Sequence, residues 1–87
     1  MTVEFCTETR NRIRLAVAAY AYECMNDSIM SDAEFDELSG KIDPTFKTGN
    51  RKLDNFFKKK FSADTGMWIH MHPEKYKLDY LYRTYYK

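Results

Sequence analysis

The sequence has few of the residues that break regular structure, with only three glycines and two prolines in 87 residues. An all-β domain of this length needs many tight turns built on those residues, so their scarcity favours helices joined by short loops. The sequence also has no apolar stretch of about 18 residues, the length expected of a membrane-spanning helix. We therefore expect a single soluble domain over residues 1–87, with no membrane partner.

Cysteine is scarce too, since Cys6 and Cys24 are the only examples. The N-terminal segment is charged and lacks the apolar core of a signal peptide. These features predict a cytoplasmic protein whose thiols stay reduced. In such a protein both cysteines are expected to be small, buried apolar residues.

No charge of one sign dominates, because the formal net charge is only +1. The charges are nevertheless separated along the chain: Lys41 is the one cation in residues 27–43, and Asp54 is the one anion in residues 47–60. The small net charge gives no global electrostatic argument for nucleic acid, which is therefore not the expected partner. We interpret Lys58, Lys59 and Lys60 as a solvated helix face, with nucleic-acid contact as the alternative.

Aromatic residues, by contrast, are abundant, with seven Tyr, six Phe and one Trp. Large rings supply most of the burial that a small core can gain. The spacing of apolar residues predicts a mainly α domain of about four helices around an aromatic core. The predicted helices cover about 8–25, about 32–41, the amphipathic segment 53–61 and the segment from Pro73 onwards, with at most one short extended segment near 67–70. The predicted buried stripes of the first and last helices are Ile13, Val17, Tyr20 and Cys24, and Leu78, Leu81, Tyr82 and Tyr85.

The start of the second predicted helix carries the most distinctive motif. Ser31 and Glu34 have the spacing of a capping box. Asp32, Phe35 and Asp36 are related by three and four positions, so they share one helix face. Such a face, together with Tyr22 at the end of the preceding helix, could hold a flat ring while the carboxylates accept hydrogen bonds.

This motif resembles the N-terminal helical domain of the bacterial NAD-dependent DNA ligases over roughly residues 10–42. In that domain a helix ending in Tyr-His leads through a short loop to a helix beginning Asp-Ala-Glu-Tyr-Asp, and the element binds the nicotinamide mononucleotide half of NAD. The resemblance implies a nicotinamide-side role for Tyr22, Asp32 and Asp36. Glu23 stands where the family has His, and Phe35 where it has Tyr. The implied ligand-binding residues are Tyr22, Glu23, Asp32, Phe35 and Asp36.

A structural interpretation of the same residues is the alternative. Asp32 and Glu34 are suited to the first turn of a helix, where negative charge is favourable. Phe35 and Leu38 would then simply be core residues. Under that interpretation the motif caps and packs a helix and binds nothing.

The second half, with Asp54-Asn-Phe-Phe and Thr65-Gly-Met-Trp-Ile, resembles small open reading frames of phages and prophages. The resemblance implies a mobile-element origin. This resemblance, the separation of acidic residues 27–43 from basic residues 47–60, and the tyrosine-rich C-terminal segment together predict a non-catalytic accessory protein that binds a host protein. Such a protein could be an anti-CRISPR-like inhibitor of a host defence or an inhibitor of a replication factor. The alternative function is a stand-alone module that binds a nicotinamide-type nucleotide. The predicted partner-binding residues are Asp27, Glu37, Tyr80, Arg83 and Tyr86.

Two further patterns have chemical interpretations that we reject. Lys41-Ile-Asp43-Pro44 is similar to the Lys-x-Asp-Gly motif of adenylated ligases, but Pro replaces Gly and the segment falls at a predicted helix end. His70 and His72 have a spacing that metals use, but two ligands are too few for a site. The sequence thus predicts no enzyme activity, no metal and no cofactor other than the nicotinamide-type nucleotide.

Overall fold

The computed structural model of the chain describes residues 7–62 and 65–86, and these form four α-helices without any strand. The predicted mainly α fold is therefore confirmed. No helix in the described residues has both the length and the apolar character needed to cross a membrane. The helices are α1 (Thr7–Met25), α2 (Asp32–Lys41), α3 (Arg51–Lys59) and α4 (Lys75–Tyr85), with a 3₁₀ helix (Met67–Met71) between α3 and α4.

Helix α1 is the central element, because it packs against α2, α4 and the 3₁₀ helix. Its middle is buried around most of its circumference, since small alanines such as Ala16 and Ala19 let neighbouring elements approach closely. Burial therefore does not follow the single stripe predicted from the sequence. Cys24, the last residue of that stripe, is exposed in the final turn, so its predicted burial is wrong. Cys6 lies outside the described residues.

The core is an aromatic cluster centred on Trp68, as the composition predicted. Its ring centroid lies 6.0 Å from that of Phe56, 5.6 Å from Phe57 and 5.2 Å from Phe61. Tilted and edge-to-face arrangements of this kind place the positive edge of one ring against the negative face of another. Helix α3 thus contributes its rings to the core.

The segment around Trp68 is a 3₁₀ helix, where the sequence allowed a short extended piece near 67–70. The amide of Ile69 donates to the carbonyl of Gly66 at 3.2 Å, and the amide of Met67 donates to the Thr65 hydroxyl at 3.1 Å. A short apolar run has too few residues to distinguish a tight helical turn from a strand by periodicity.

Helix α4 begins at Lys75, two residues later than the predicted start at Pro73. The cause is His72, whose Nδ1 accepts the Glu74 amide at 3.0 Å and holds this segment in a turn. Burial lowers the pKa of His72 to about 4, so the imidazole is neutral at pH 7. Tyr85 is 72% exposed at the end of α4, and its predicted place in the buried stripe is wrong.

Arg12 is a buried hydrogen-bond centre that the sequence analysis did not single out. Its Nε donates to Glu8 at 2.7 Å, and its Nη1 donates to Asp54 at 2.9 Å. Its Nη2 donates to the carbonyls of Asp43 at 2.7 Å and Phe46 at 2.9 Å. One guanidinium therefore joins α1, α3 and the connection between α2 and α3.

Two tyrosine–aspartate hydrogen bonds fix α4 to the C-terminal half of α1 and to the loop that follows α1. The Tyr20 hydroxyl donates to Asp79 at 2.8 Å, and the Tyr82 hydroxyl donates to Asp27 at 2.5 Å. Burial, with help from the hydrogen bond to Asp79, raises the pKa of Tyr20 to about 12. Because Asp27 lies in the α1–α2 loop, this pairing also positions the loop that precedes α2.

Candidate ligand-binding cleft

An open cleft of about 220 Å³ lies where the end of α1 meets the start of α2. The floor includes Ala18 and Ala19 of α1, whose small side chains leave the space open. All five residues of the predicted ligand set line this cleft. They are Tyr22, Glu23, Asp32, Phe35 and Asp36.

The local sequence explains how the two helices are placed around the cleft. Asn26 has φ of 52°, a left-handed conformation that Asn tolerates better than most residues, and it ends α1. Ser28 then donates to the carbonyl of Met30 at 3.0 Å within the loop. Ser31 begins α2 by accepting the Glu34 amide at 3.1 Å, and its hydroxyl donates to the Glu34 carboxylate at 3.0 Å. The predicted cap is therefore present.

The cap does not use the carboxylates that face the cleft. Glu34 is the residue that pairs with Ser31, whereas Asp32 and Asp36 line the cleft and are exposed. The alternative interpretation, in which this motif caps α2, is thus correct for Glu34. The capping interaction leaves Asp32 and Asp36 available to a ligand.

The aromatic walls differ in how firmly they are held. Tyr22 is 63% exposed, so its ring is accessible from solvent. Phe35 is half-buried, and the tip of its ring lies 3.5 Å from the position that a Cβ atom on Gly66 would occupy. Phe35 therefore offers a fixed surface, and Tyr22 a more adaptable one.

Thr65 and Gly66 form a further wall that sequence reasoning missed. They are distant from Phe35 in the sequence and reach the cleft only because the chain returns past α1 before the 3₁₀ helix. No local spacing connects residues so far apart. The turn composition around Gly66 was visible in the sequence, but it did not indicate which cleft the turn would border.

The electrostatic character of the cleft is acidic. Glu23, Asp32 and Asp36 are the charged residues among those described along the cleft, and none of these lining residues is Lys or Arg. A phosphate group placed there would meet negative charge without a basic partner. A cationic or neutral ring with hydroxyl groups is a better match to these side chains.

A second cleft, of about 370 Å³, lies between α1, α3 and α4. It is mainly apolar, with Ile13, Leu53 and Leu81 among its walls. Its charged residues are already engaged, since Arg12 bonds to Glu8 and Asp54, and Lys77 pairs with Glu74 at 2.7 Å. The charged groups of this second cleft are thus occupied by partners within the protein and are not available to a ligand. The acidic cleft is therefore the stronger candidate site.

The two rejected chemical motifs have structural surroundings of their own. Lys41 pairs with Glu37 at 3.5 Å on the surface, and Asp43 accepts from the Thr45 hydroxyl at 2.7 Å. His70 is exposed while His72 is buried, so the two imidazoles occupy different environments. Among the residues that the structure describes, no three His, Cys, Asp or Glu side chains converge on a possible metal position.

The predicted partner-binding residues are distributed over several elements. Asp27 is held by Tyr82 in the α1–α2 loop, and Glu37 lies exposed on α2. Tyr80 is 67% exposed on α4, Tyr86 is 48% exposed just after it, and Arg83 pairs with Asp79 at 2.9 Å. The structure thus places Tyr80, Arg83 and Tyr86 in one region but leaves Glu37 on a different helix.

Comparison with protein-family models, with curated proteins and with solved structures found no match to this chain.

Proposed function

We propose that this chain is a non-catalytic, cytoplasmic binding protein whose acidic cleft binds a nicotinamide-type nucleoside. The observation that carries the proposal is the arrangement of Tyr22, Asp32, Phe35 and Asp36 around one cleft. The ligase-like order of these residues suggested the ligand, and their convergence supports it. A ring would stack on Tyr22 or Phe35, and the aspartates would accept from ribose hydroxyls or a carboxamide.

The charge of the cleft sets the preference among nicotinamide compounds. Nicotinamide riboside carries a cationic ring and no phosphate, whereas the mononucleotide adds an anionic phosphate. Glu23 and the two aspartates favour the cation and oppose the phosphate. The riboside is therefore expected to bind at least as tightly as the mononucleotide.

Titration with both compounds, followed by NMR, tests this assignment. We expect shifts at Tyr22, Asp32, Phe35 and Asp36, with a Kd in the high-micromolar range or weaker, equivalent to about 5 kcal/mol. Asp36→Asn should weaken binding several-fold, by roughly 1 kcal/mol, because an exposed carboxylate contributes modestly. Glu37→Gln is the matched control, since it removes the neighbouring charge of α2 from outside the cleft.

Two results would contradict the assignment. One is that millimolar riboside leaves the cleft signals unchanged, and the other is that Glu37→Gln weakens binding as much as Asp36→Asn. The first result would leave only the capping and packing interpretation of the motif. The second would show a general charge effect without a site.

A second candidate function is docking on a host protein, and the exposed tyrosines of α4 favour it. Tyr76, Tyr80, Tyr85 and Tyr86 are all substantially exposed, at 68%, 67%, 72% and 48%. Tyr76, Tyr80 and Arg83 follow at spacings of four and three, so they share one helix face. Tyrosine and arginine are enriched at protein interfaces. Such a partner would be a host defence or replication protein.

Affinity capture from bacterial lysate with the tagged protein tests this second function. We expect one stoichiometric partner, lost in the double variant Tyr80→Ala/Tyr86→Ala because hot-spot aromatics contribute about 2 kcal/mol or more each. Tyr22→Ala is the control, since this tyrosine is also 63% exposed but lies in the acidic cleft. Capture of the same partner by the double variant would exclude the α4 surface, and loss with Tyr22→Ala would move the interface to the cleft.

A further inference from the structure

Helix α3 presents a strongly positive face to solvent. Arg51, Lys52, Lys58 and Lys59 are all exposed. At 100° per residue these four positions fall within about one third of the helix circumference, with exposed Asn55 among them. We call these four cations the basic face. It lies outside residues 10–42 and outside the acidic cleft, so it is independent of the proposed function.

The neighbouring anions do not neutralise the basic face. Asp54 belongs to α3 but turns inward, where it accepts from Arg12 and from the Thr48 amide at 2.9 Å. Glu74 is paired with Lys77 at 2.7 Å. None of the basic-face residues takes part in an ion pair with a described residue. Lys52 is the one that acts on Glu74: the pKa of that carboxyl is lowered mainly by Lys77 and to a smaller extent by Lys52.

Only two of the four cations of the basic face stabilise α3. Lys58 and Lys59 stand in the last turn, where cations interact favourably with the helix dipole. Arg51 and Lys52 stand in the first turn, where the same dipole opposes a positive charge. The dipole therefore accounts for Lys58 and Lys59 but not for Arg51 and Lys52, whose charge is available to an anionic partner.

We propose that the basic face binds the phosphate backbone of duplex nucleic acid without reading its sequence. The nine residues of α3 extend over about 13 Å, enough to contact several phosphates. Phosphate contacts from Lys and Arg position a protein on a duplex but carry no sequence information.

Two other anionic partners, single-stranded nucleic acid and an anionic membrane surface, match the basic face less well than a duplex does. Single strands are bound by stacking bases on exposed aromatic side chains, but Phe56 and Phe57 of α3 are buried in the core. Membrane-surface helices insert an apolar face between lipid headgroups, and the apolar face of α3 is already covered by Trp68. A helical, polar and cationic surface matches the regular phosphate array of a duplex.

Fluorescence anisotropy with a labelled random-sequence duplex of about 20 base pairs tests the proposal at salt concentrations from about 20 to 200 mM. The logarithm of the association constant should fall with the logarithm of salt with a slope between about −3 and −4, because about four phosphates are neutralised. Lys58→Gln/Lys59→Gln should bring the slope closer to zero by about 2. Arg14→Gln/Lys41→Gln removes the same charge from exposed positions of α1 and α2, and should leave the slope unchanged.

Three outcomes would overturn the proposal. One is no duplex binding at the lowest salt concentration. Another is an equal loss in the Arg14→Gln/Lys41→Gln control, which would make net charge the only cause. The third is tighter binding to a single strand of the same length, or to phosphatidylserine vesicles, than to the duplex. Circular dichroism of each variant verifies that α3 is still folded.

Discussion

Replacing Arg12 with alanine is expected to lower the free energy of unfolding by about 3–5 kcal/mol, as for other broken buried ion pairs. The Arg12 side chain is 5% exposed, and those of its partners Glu8 and Asp54 are 9% and 14% exposed. The substitution leaves both carboxylates without their cation. It also removes the contact of the guanidinium with the Phe57 ring, 4.8 Å from its centroid.

Urea unfolding of Arg12→Ala and Arg14→Ala measures this effect. Arg14 is exposed on the same helix, so its truncation should change stability by no more than about 0.5 kcal/mol. Arg12→Lys should recover only part of the loss, because an ammonium cannot reproduce four hydrogen bonds in a fixed planar geometry. Equal stability of the Arg12 and Arg14 variants would contradict the central role of Arg12.

The same network predicts how stability depends on pH. Burial alone would raise the pKa of Asp54, but hydrogen bonds from Thr48 and Arg12 outweigh it and hold the pKa below the ordinary value of 3.8. A carboxyl with a lowered pKa in the folded state stabilises the fold above its unfolded pKa and loses that contribution as pH falls. The urea midpoint should therefore decrease as the pH falls below about the ordinary carboxyl pKa of 3.8, and it should decrease less steeply in Arg12→Ala.

Truncation of Trp68 to alanine is expected to cost about 3–5 kcal/mol, because it opens a large cavity in the aromatic core. Trp68→Phe should cost much less, within about 1.5 kcal/mol of the wild type. The indole Nε1 is buried and has no hydrogen-bond acceptor among the described residues. Removing that N–H relieves the cost of an unsatisfied buried donor and offsets part of the lost volume.

Far-UV circular dichroism during urea unfolding compares these variants without relying on tryptophan fluorescence. Met71→Ala is the control, because Met71 belongs to the same 3₁₀ helix and is 60% exposed. Its effect should stay within about 0.5 kcal/mol. If Trp68→Phe proved as destabilising as Trp68→Ala, the indole N–H would be a satisfied donor whose loss costs stability, contrary to this account.

The features predicted from the sequence are those set by local spacing. The bounds of α1 and α2 and the Ser31–Glu34 cap depend on residues within one or two turns, where periodicity and capping rules apply. The convergence of Tyr22 with the first turns of α2 was predictable for a related reason. A short loop between two helices brings the end of one beside the start of the next.

The features that were missed depend on contacts between distant residues. Arg12 bonds to Asp54, 42 positions away, and a sequence pattern cannot identify that partner. Only the Glu8–Arg12 spacing of four was a local signal, and it equally describes an exposed pair. The burial of α1 on several sides likewise depends on which elements surround the helix. So does the exposure of Cys24 in its last turn.

The connection between α2 and α3 has little regular structure, yet Arg12 and its carboxylate partners hold its backbone. The Asp43 amide donates to Glu8 at 3.1 Å, and the Thr48 amide donates to Asp54 at 2.9 Å. Both acceptor carboxylates are themselves held by Arg12 in largely buried ion pairs. Opening of the loop at these two amides therefore disturbs that network, and the amide protons of Asp43 and Thr48 should exchange with solvent more slowly than those of the exposed loop residues around them. In energetic terms these two points of an irregular loop belong to the same cooperative unit as the central helix.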